Sequence, residues 1–582
     1  MSEERDTSGS PGETLLISEQ SVLGDPWVPI YKRAVDFDAH HFETAMANLI
    51  RQPNINSTVI LRADILKENV YDPEKGDTMF VSKMIDKVPD FPSTSNSDDN
   101  SHKTDLILHR YLDDATFRSI PTENCSVNLV SKCEIVRRII PRNPFKDHII
   151  NQTCLVLTSQ EGDKGLKSDD SVLVVYIPHI KSSEETPFYL PPVYAVGILY
   201  HQGSLSIQYL GFNYEKSNDE TTLLRNMDPA ERPIRIALRL LQTSAKHSLG
   251  AKTGYEKRVN HDMVVPKTAF QNRYISLKKK YSSKLVNQWC ESTDPKKHVF
   301  EDLAIAAFLI EFWSLKYKDS HSFEFRDLGC GNGLLVYILI NEGYRGIGID
   351  ARARKSWAIY PKEVQDCLKE QVIIPSILLR PHPAVSRIAP HVTDNGRYYQ
   401  VAVQGETASQ SSEVMAPGGI AYYSSSSLLS SPQVCTTDDF PKDTFIIGNH
   451  SDELTCWIPL LGYSFMVIPC CSHALSGAKA RYSPRKAARA SKSSSTSTVN
   501  SSTYGALVDH VEDLAVQMGW DVEKEMLRIP STRNAAIIGS SKKEISDEAW
   551  QTRVLDILAL SGGAEGFVEN SMALTKRAPR NH

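Results

Sequence analysis

Residues 324–350 read EFRDLGCGNGLLVYILINEGYRGIGID. A short strand-like run ending at Leu328 leads into Gly329-Cys330-Gly331-Asn332-Gly333. An apolar stretch of helical length follows, and a second strand-like run closes on Asp350. Strand, glycine-rich turn, helix, strand is the opening of a βαβ unit. The glycines permit a tight turn and let a ligand approach bare backbone. The helix N-terminus then offers unpaired N–H groups to a carboxylate or polar ligand. Asp350 stands where an acid can accept both hydroxyls of a ribose.

Working outward, strands keep alternating with helices. VIIPSILL (372–379) reads as a third strand, DTFIIGNH (443–450) as a fourth and SFMVIPCC (464–471) as a fifth. Residues 504–519 read as a helix, and EKEMLRIPSTRNAAIIG as a closing hairpin. This alternation implies an α/β, doubly wound, mostly parallel sheet with an antiparallel edge hairpin. Upstream, Asp294-Pro295 caps a helix running from His298 to Leu315, apolar enough to be buried on most of its surface. Lys267 to Trp289 is a second helical stretch, and residues 232–250 a third, with Gly250 as its expected C-cap. Between 125 and 212, β-branched and aromatic runs broken by turn residues imply an antiparallel β-rich unit.

The glycine loop fits two ligands unequally. A dinucleotide fingerprint needs a small residue at its last position, and Leu334 stands there. Asp327, two residues before the first glycine, would repel a pyrophosphate. It would favour S-adenosylmethionine (AdoMet), which carries an amino group and a sulfonium charge. The expectation is therefore a Rossmann-like class I AdoMet methyltransferase domain, with Asp327, Gly329, Gly331, Gly333 and Asp350 holding the methyl donor.

Polar residues at strand ends face ligands in such sheets, which brings Asn449-His450-Ser451-Asp452-Glu453 to the donor. The (D/N)PP(Y/F) string of amino-group methyltransferases is absent. Cys470-Cys471 after the fifth strand offers another chemistry, thiolate attack on a pyrimidine ring to activate C5. The plainer reading is two buried thiols ending a strand.

Bulk features narrow the rest. In 582 residues, 41% hydrophobic and 23% charged side chains exclude collagen-like, coiled-coil and wholly disordered chains. The N-terminus lacks a basic start and an apolar run, so no secretory signal is expected. The longest apolar run, Leu303 to Ile310, is far short of the roughly 20 residues that span a bilayer. The cysteines show no CxxC or Cys/His ligand spacing, so no metal is expected and reduced thiols in cytosol or nucleus are. The net charge of -5 hides local excesses. Residues 246–297 hold 12 Lys/Arg against 4 Asp/Glu, interleaved with Tyr255, Phe270, Tyr274, Tyr281 and Trp289; Lys479 to Lys492 hold six Lys/Arg and no acid. Basic residues among aromatics suit phosphates and unstacked bases; the plainer alternative is a solvated helix face and a floppy arm. Polar segments at 1–13, 93–104, 424–431 and 491–503 read as loops or disorder.

The expected organisation is thus a disordered start (1–20), a β-rich N-terminal domain (21–245), a methyltransferase domain (246–545) and a C-terminal helix and tail (546–582). The methyltransferase domain carries a basic helical lead-in (246–316), a low-complexity insert (381–440) and a basic, Ser-rich linker (476–503).

EKRVNHDMVVPKTAFQNRYISLKKKY, TDPKKHVFEDLAIAAFLIEFW, DLGCGNGLLVYILINEGYRGIGIDARARKSW, FIIGNHSDELTCWIPL, VIPCC and EKEMLRIPSTRNAAIIG together resemble the tRNA (uracil-O(2)-)-methyltransferase family. The resemblance spans roughly residues 115–540. It implies AdoMet-dependent methylation of the ribose 2′-hydroxyl of uridine 44 in serine tRNA by a cytoplasmic enzyme. It carries Asp327, Gly329, Gly331, Gly333 and Asp350 over as donor-binding residues, while the members of the Asn449–Glu453 string have no individually implied roles. Cys456 departs from the family's usual Pro, with Pro459 left to shape the turn.

For the chemistry, in-line positioning supplies much of the rate and a general base takes the hydroxyl proton. Asp452 or Glu453 is the expected base, against helix capping as the alternative; Asn449 is expected beside the donor. Arg528 and Arg533 are expected either on RNA phosphates or in salt bridges. The competing functions are a C5-pyrimidine methyltransferase using Cys470 or Cys471, and a non-catalytic RNA-binding protein on the same fold.

Overall fold

The computed structural model describes residues 12–72, 76–80, 112–122, 125–144, 146–159, 170–215, 219–255, 261–402, 420–484 and 502–575. The polar segment 93–104 and most of the Ser-rich linker lie outside them. The chain divides into two compact units, Met1–Glu256 and Lys257–His582. The helix Arg232–Lys252 therefore belongs wholly to the first unit, and the boundary falls about ten residues later than the sequence suggested. Gly250 lies inside this helix, whose cap is Thr253.

The first unit is built on one nine-stranded antiparallel sheet. Its strands are β1 (Glu13–Leu15), β2 (Val28–Ala34), β3 (Ile60–Asp72), β4 (Gly76–Phe80), β5 (Leu129–Pro141), β6 (Ile150–Ser159), β7 (Ser171–Pro178), β8 (Ala195–His201) and β9 (Ser204–Leu210). Their order is β1-β2-β9-β8-β7-β6-β5-β3-β4. The helices Ala39–Arg51 and Arg232–Lys252 pack on one face, through Phe42, Met46, Leu49, Ile234, Ala237 and Leu241 against Val174, Ile198 and Ile207. Trp27, Leu155, Leu173 and Val175 fill the other. Cover on both faces explains why SVLVVYIP is apolar throughout instead of alternating.

The second unit holds a seven-stranded sheet of β10 (Glu324–Leu328), β11 (Gly346–Asp350), β12 (Leu368–Glu370), β17 (Thr444–Asn449), β18 (Ser464–Ile468), β19 (Trp520–Met526) and β20 (Ala535–Lys542). The order is β12-β11-β10-β17-β18-β20-β19. All neighbours are parallel except those of β20, which runs antiparallel to β18 and β19. The helix Pro295–Lys316, capped by Asp294 accepting from the Lys296 N–H, buries nearly its whole length against this sheet and the helix Leu334–Asn341.

Three details differ from the sequence reading. The third strand of the main sheet is Leu368–Glu370, while Val372–Ile374 (β13) pairs in parallel with Val434–Thr436 (β16) in a separate ribbon. The 381–440 insert is partly ordered: it holds the helix Pro383–Ile388 and a hairpin of β14 (Tyr398–Ala402) and β15 (Ile420–Ser424). Within SSSSLLSS, Ser425–Leu429 is helical: the Ser424 hydroxyl caps it by accepting from the Ser427 N–H, and Leu428 is buried in a small core with Val372, Ile374, Val401 and Met572. Residues 546–575 form two helices, Asp547–Leu560 and Phe567–Leu574, with Phe567 against Trp457. Among the described residues, no helix is long and apolar enough to cross a membrane.

Candidate functional site

The carboxyl ends of β10, β11 and β17 open into a cleft of about 540 Å³. Its wall is the glycine loop. Gly329, Gly331 and Gly333 all take positive φ, at 78°, 54° and 72°. At Gly333 the requirement is twofold, because an added Cβ would also stand 3.0 Å from Leu368. The loop is held from behind: Trp357 Nε1 donates to the Gly331 carbonyl at 2.9 Å, and Ser356 Oγ and Tyr360 OH donate to the Asn332 carbonyl at 2.8 and 3.0 Å.

Of the expected residues, Asp327, Gly329, Gly331, Asp350, Asn449, Asp452 and Glu453 all line this cleft. Gly333 does not; it starts the helix and packs under the loop. Asp350 accepts from the Gly331 N–H at 2.9 Å and the Arg352 N–H at 3.1 Å, so each carboxylate oxygen keeps a lone pair for a further donor.

The floor is acidic. Asp327 is 2% exposed and its Oδ1 has no hydrogen-bond partner. Burial, and then the charge of Asp350, push its carboxyl up to about 8. Asp302, from the helix Pro295–Lys316, lies beside it and accepts from Asn449 Nδ2 at 3.2 Å. Burial, with Glu301 and Asp327 nearby, raises Asp302 well above the carboxylate range. Asn449 Oδ1 is a second buried acceptor without a partner. A buried unmatched acceptor costs about 1–3 kcal/mol, so two of them in one cleft ask for a ligand that brings donors and positive charge. AdoMet's ammonium and sulfonium meet that request. Glu301 and Asp302 escaped the sequence reading, although two adjacent acids at the start of the apolar stretch Leu303–Ile310 were the signal.

Four cations, Lys297, Arg352, Arg354 and Arg533, also line the cleft; Lys297 and Arg533 are exposed and give it a basic rim, while Arg352 and Arg354 are half-buried. Arg533 is exposed and, among the described residues, has no carboxylate partner. Arg528 instead makes a two-pronged ion pair with Asp262, at 2.8 and 2.6 Å, and is structural. The aromatic residues of the basic lead-in are also mostly structural. Phe270 and Tyr281 are buried, Tyr274 packs on the core, and Trp289 stacks on His298. Arg273 and Lys280 pair with Glu311 and Glu342. Of the second basic run, residues 485–492 lie outside the described residues.

The segment after β17 is bent at two non-glycine residues in the left-handed region, His450 (φ 56°) and Asp452 (φ 45°). Asp452 Oδ1 accepts from the Cys470 thiol at 3.2 Å, while Glu453 stands 3.9 Å from His473. Asp452, Cys470 and Cys471 bring three potential ligand atoms within 4.8 Å of one another. Burial, and then the Asp452 charge, raise both thiols above their ordinary value. The group is satisfied as a hydrogen-bonded set, and its thiols are poor sources of thiolate.

Comparison with known proteins now decides the family. Residues 7–258 match a family model described as "TRM44-like, N-terminal bet v1-like domain", and residues 264–375 one described as "Predicted AdoMet-dependent methyltransferase". A tRNA (uracil-O(2)-)-methyltransferase of Debaryomyces hansenii is 68% identical over 98% of both chains. The chain belongs to the tRNA (uracil-O(2)-)-methyltransferase family. The Saccharomyces cerevisiae protein of that name is 52% identical over 97% of this chain and 96% of its own, and the Schizosaccharomyces pombe one 33% over 96% and 94%. No solved structure matches the chain. As a member of this family the chain is an AdoMet-dependent methyltransferase with an N-terminal bet v1-like domain.

Proposed function

We propose that this chain methylates the ribose 2′-hydroxyl of a uridine in tRNA, and that the uridine is position 44 of serine tRNA, as the family resemblance implies. The observation that carries the reading is the charge layering of one cleft: an acidic floor with two unpartnered buried acceptors, and a basic rim. The floor suits a cationic methyl donor and the rim suits a polyanion. We further infer a Rossmann-like class I methyltransferase fold for the second unit, supported by the strand order with its single reversed strand, and a cytoplasmic location, supported by the resemblance and by ten free cysteines.

Asp327, Asn449 and Asp350 would hold the donor, with Asp327 facing its ammonium and Asp350 its ribose hydroxyls. The donor supplies a methyl carbon made electrophilic by the adjacent sulfonium. The glycine loop, braced by Ser356, Trp357 and Tyr360, is fixed before the donor arrives, so little ordering is left to do on binding. The C5-pyrimidine alternative needs a thiolate that burial and Asp452 disfavour. The test is mass spectrometry of nucleosides from tRNA methylated by the pure protein and from cells lacking it. The reading expects 2′-O-methyluridine made in the first and lost at position 44 of serine tRNA in the second. A base-methylated product would refute it.

A further inference from the structure

We propose that His450 is the general base that receives the proton of the ribose 2′-hydroxyl, and that Glu301 is the positioning residue that fixes its tautomer; this rests on the ribose-methylation reading above. His450 lines the cleft directly after Asn449. Its Nε2 lies 3.2 Å from Glu301 Oε1, and the Glu301 side chain is 6% exposed. A carboxylate can only accept, so Nε2 must carry the hydrogen. The neutral ring then has its lone pair on Nδ1. Among the described residues nothing hydrogen-bonds Nδ1, and the His450 side chain is 33% exposed.

This is the orientation logic of a base held by a buried acid. The backbone at His450 supports it. A non-glycine residue at φ 56° costs on the order of 1–2 kcal/mol, and such outliers persist where the surroundings hold a side chain in place for use. Asp452 and Glu453 line the same cleft, but Asp452 is engaged by the Cys470 thiol and Glu453 faces His473. An imidazole nitrogen with a free lone pair can take a proton from a hydroxyl within hydrogen-bond reach.

The step balances. The 2′-oxygen bonds to the methyl carbon, the carbon–sulfur bond breaks with its electron pair left on sulfur, and the hydroxyl proton passes to Nδ1 of His450. The charged and titratable groups around the ring are Glu301, His298 and Lys297 from the helix Pro295–Lys316, and Asp452 and Glu453 from its own loop. Burial would raise Glu301, but the hydrogen bond from His450, with His298 and Lys297, holds it below its ordinary value.

Two variants of the full-length protein test this. His450→Asn keeps a residue type that tolerates the left-handed backbone. It should bind AdoMet and tRNA within twofold of the parent, by calorimetry and filter binding, and lose roughly 10²–10⁴-fold in single-turnover rate. A rate within threefold of the parent overturns the assignment. Glu301→Gln removes the negative charge beside the ring. Diethylpyrocarbonate reacts only with the unprotonated imidazole. In the absence of AdoMet and tRNA, the pH midpoint of His450 modification, followed by mass spectrometry, should fall, and the acidic limb of the rate profile should fall with it. An unmoved midpoint overturns the role of Glu301. A rate limb that does not track the His450 midpoint overturns that of His450, even should His450→Asn fail to fold. Nucleoside analysis of the parent's product separates these failures from failure of the ribose reading itself.

Discussion

Replacing Asp327 by Asn should make the protein more stable and a worse binder of AdoMet, and both effects should depend on pH. The carboxyl is buried, lacks a partner on Oδ1 and has its pKa at about 8 instead of the ordinary 3.8. Between those values the folded chain holds a proton that the unfolded chain has released. Folding therefore takes up a proton, and stability falls as pH rises from about 4 to about 8. At pH 7 the gap is about three pH units, or about 4 kcal/mol at 1.36 kcal/mol per unit. Asn removes that penalty but buries an amide with unmatched donors, costing about 1–3 kcal/mol. The net expected gain at pH 7 is about 1–3 kcal/mol in favour of the variant; it vanishes between about pH 4.5 and pH 6, and below that the wild-type is the more stable.

Donor binding should run the other way. An ammonium facing an ionised Asp327 makes a charge-assisted hydrogen bond of about 1.5–3 kcal/mol, roughly 10- to 150-fold in affinity. At pH 7 the wild-type must first ionise Asp327, which takes back about 1.4 kcal/mol, or one decade. The ratio of variant to wild-type Kd should thus widen about fivefold from pH 7 to pH 8, as the ionised fraction of Asp327 rises. It should stop widening where the ammonium itself deprotonates, near an α-amino pKa of about 8. Thermal denaturation of the free protein at pH 5, 7 and 8, with calorimetry of AdoMet binding in two buffers of different ionisation enthalpy, reads both quantities and the released proton. A variant no more stable than wild-type at pH 7 would refute the buried, protonated state of Asp327, and a Kd ratio flat from pH 6 to 8 would refute the placement of the donor's ammonium there.

The other expectations are simpler. Changing Cys470 and Cys471 together to Ser should leave ribose methylation within a few-fold, read by tritium transfer from labelled AdoMet; complete loss with AdoMet binding intact would restore a thiolate mechanism. Arg533→Glu should weaken tRNA binding and lower the salt slope of log K by about one, with AdoMet affinity unchanged. Arg528→Ala should lower the thermal midpoint and leave that slope alone, since its charge is taken up by Asp262; the converse pattern in the two variants would exchange their roles. Gly333→Ala meets a left-handed φ and a Leu368 side chain 3.0 Å away, so it should cost about 1–2 kcal/mol or more of stability, measured by urea unfolding.

What was legible in the sequence was whatever repeats a pattern that burial enforces. β17 and β18 are apolar because both sheet faces are covered, while β10 and β11, with charged and glycine residues of their own, are marked by the glycine loop between them, punctuated by residues that no other type could replace cheaply. β12 was not legible: Leu368-Lys369-Glu370 is an edge strand with two exposed residues, while in its neighbour Val372–Ile374 the outer two residues are apolar for a smaller core shared by the insert and the helix Phe567–Leu574, and Ile373 for the main one. The helix in the serine run was hidden because its order comes from one buried Leu428 and a cap, not from periodicity. The aromatic residues of the lead-in read as base platforms only because sequence cannot say which face of a helix is turned inward.

The same reasoning accounts for the residues that the sequence did not single out. Glu301 and Asp302 are adjacent on one helix; their chemistry exists only because β17 ends where that helix passes, placing Asn449 against Asp302 and His450 against Glu301. That convergence is also what lets one cleft serve a cation and a polyanion at once. The acids are buried, where charges act at low effective dielectric over short distances. Lys297 and Arg533 are exposed, so they act on a phosphate chain through water and are screened within about 10 Å at 0.1 M salt. The whole-chain net charge of -5 shows neither layer. A raised ionic strength should therefore loosen the tRNA far more than AdoMet, which is the behaviour the layering demands.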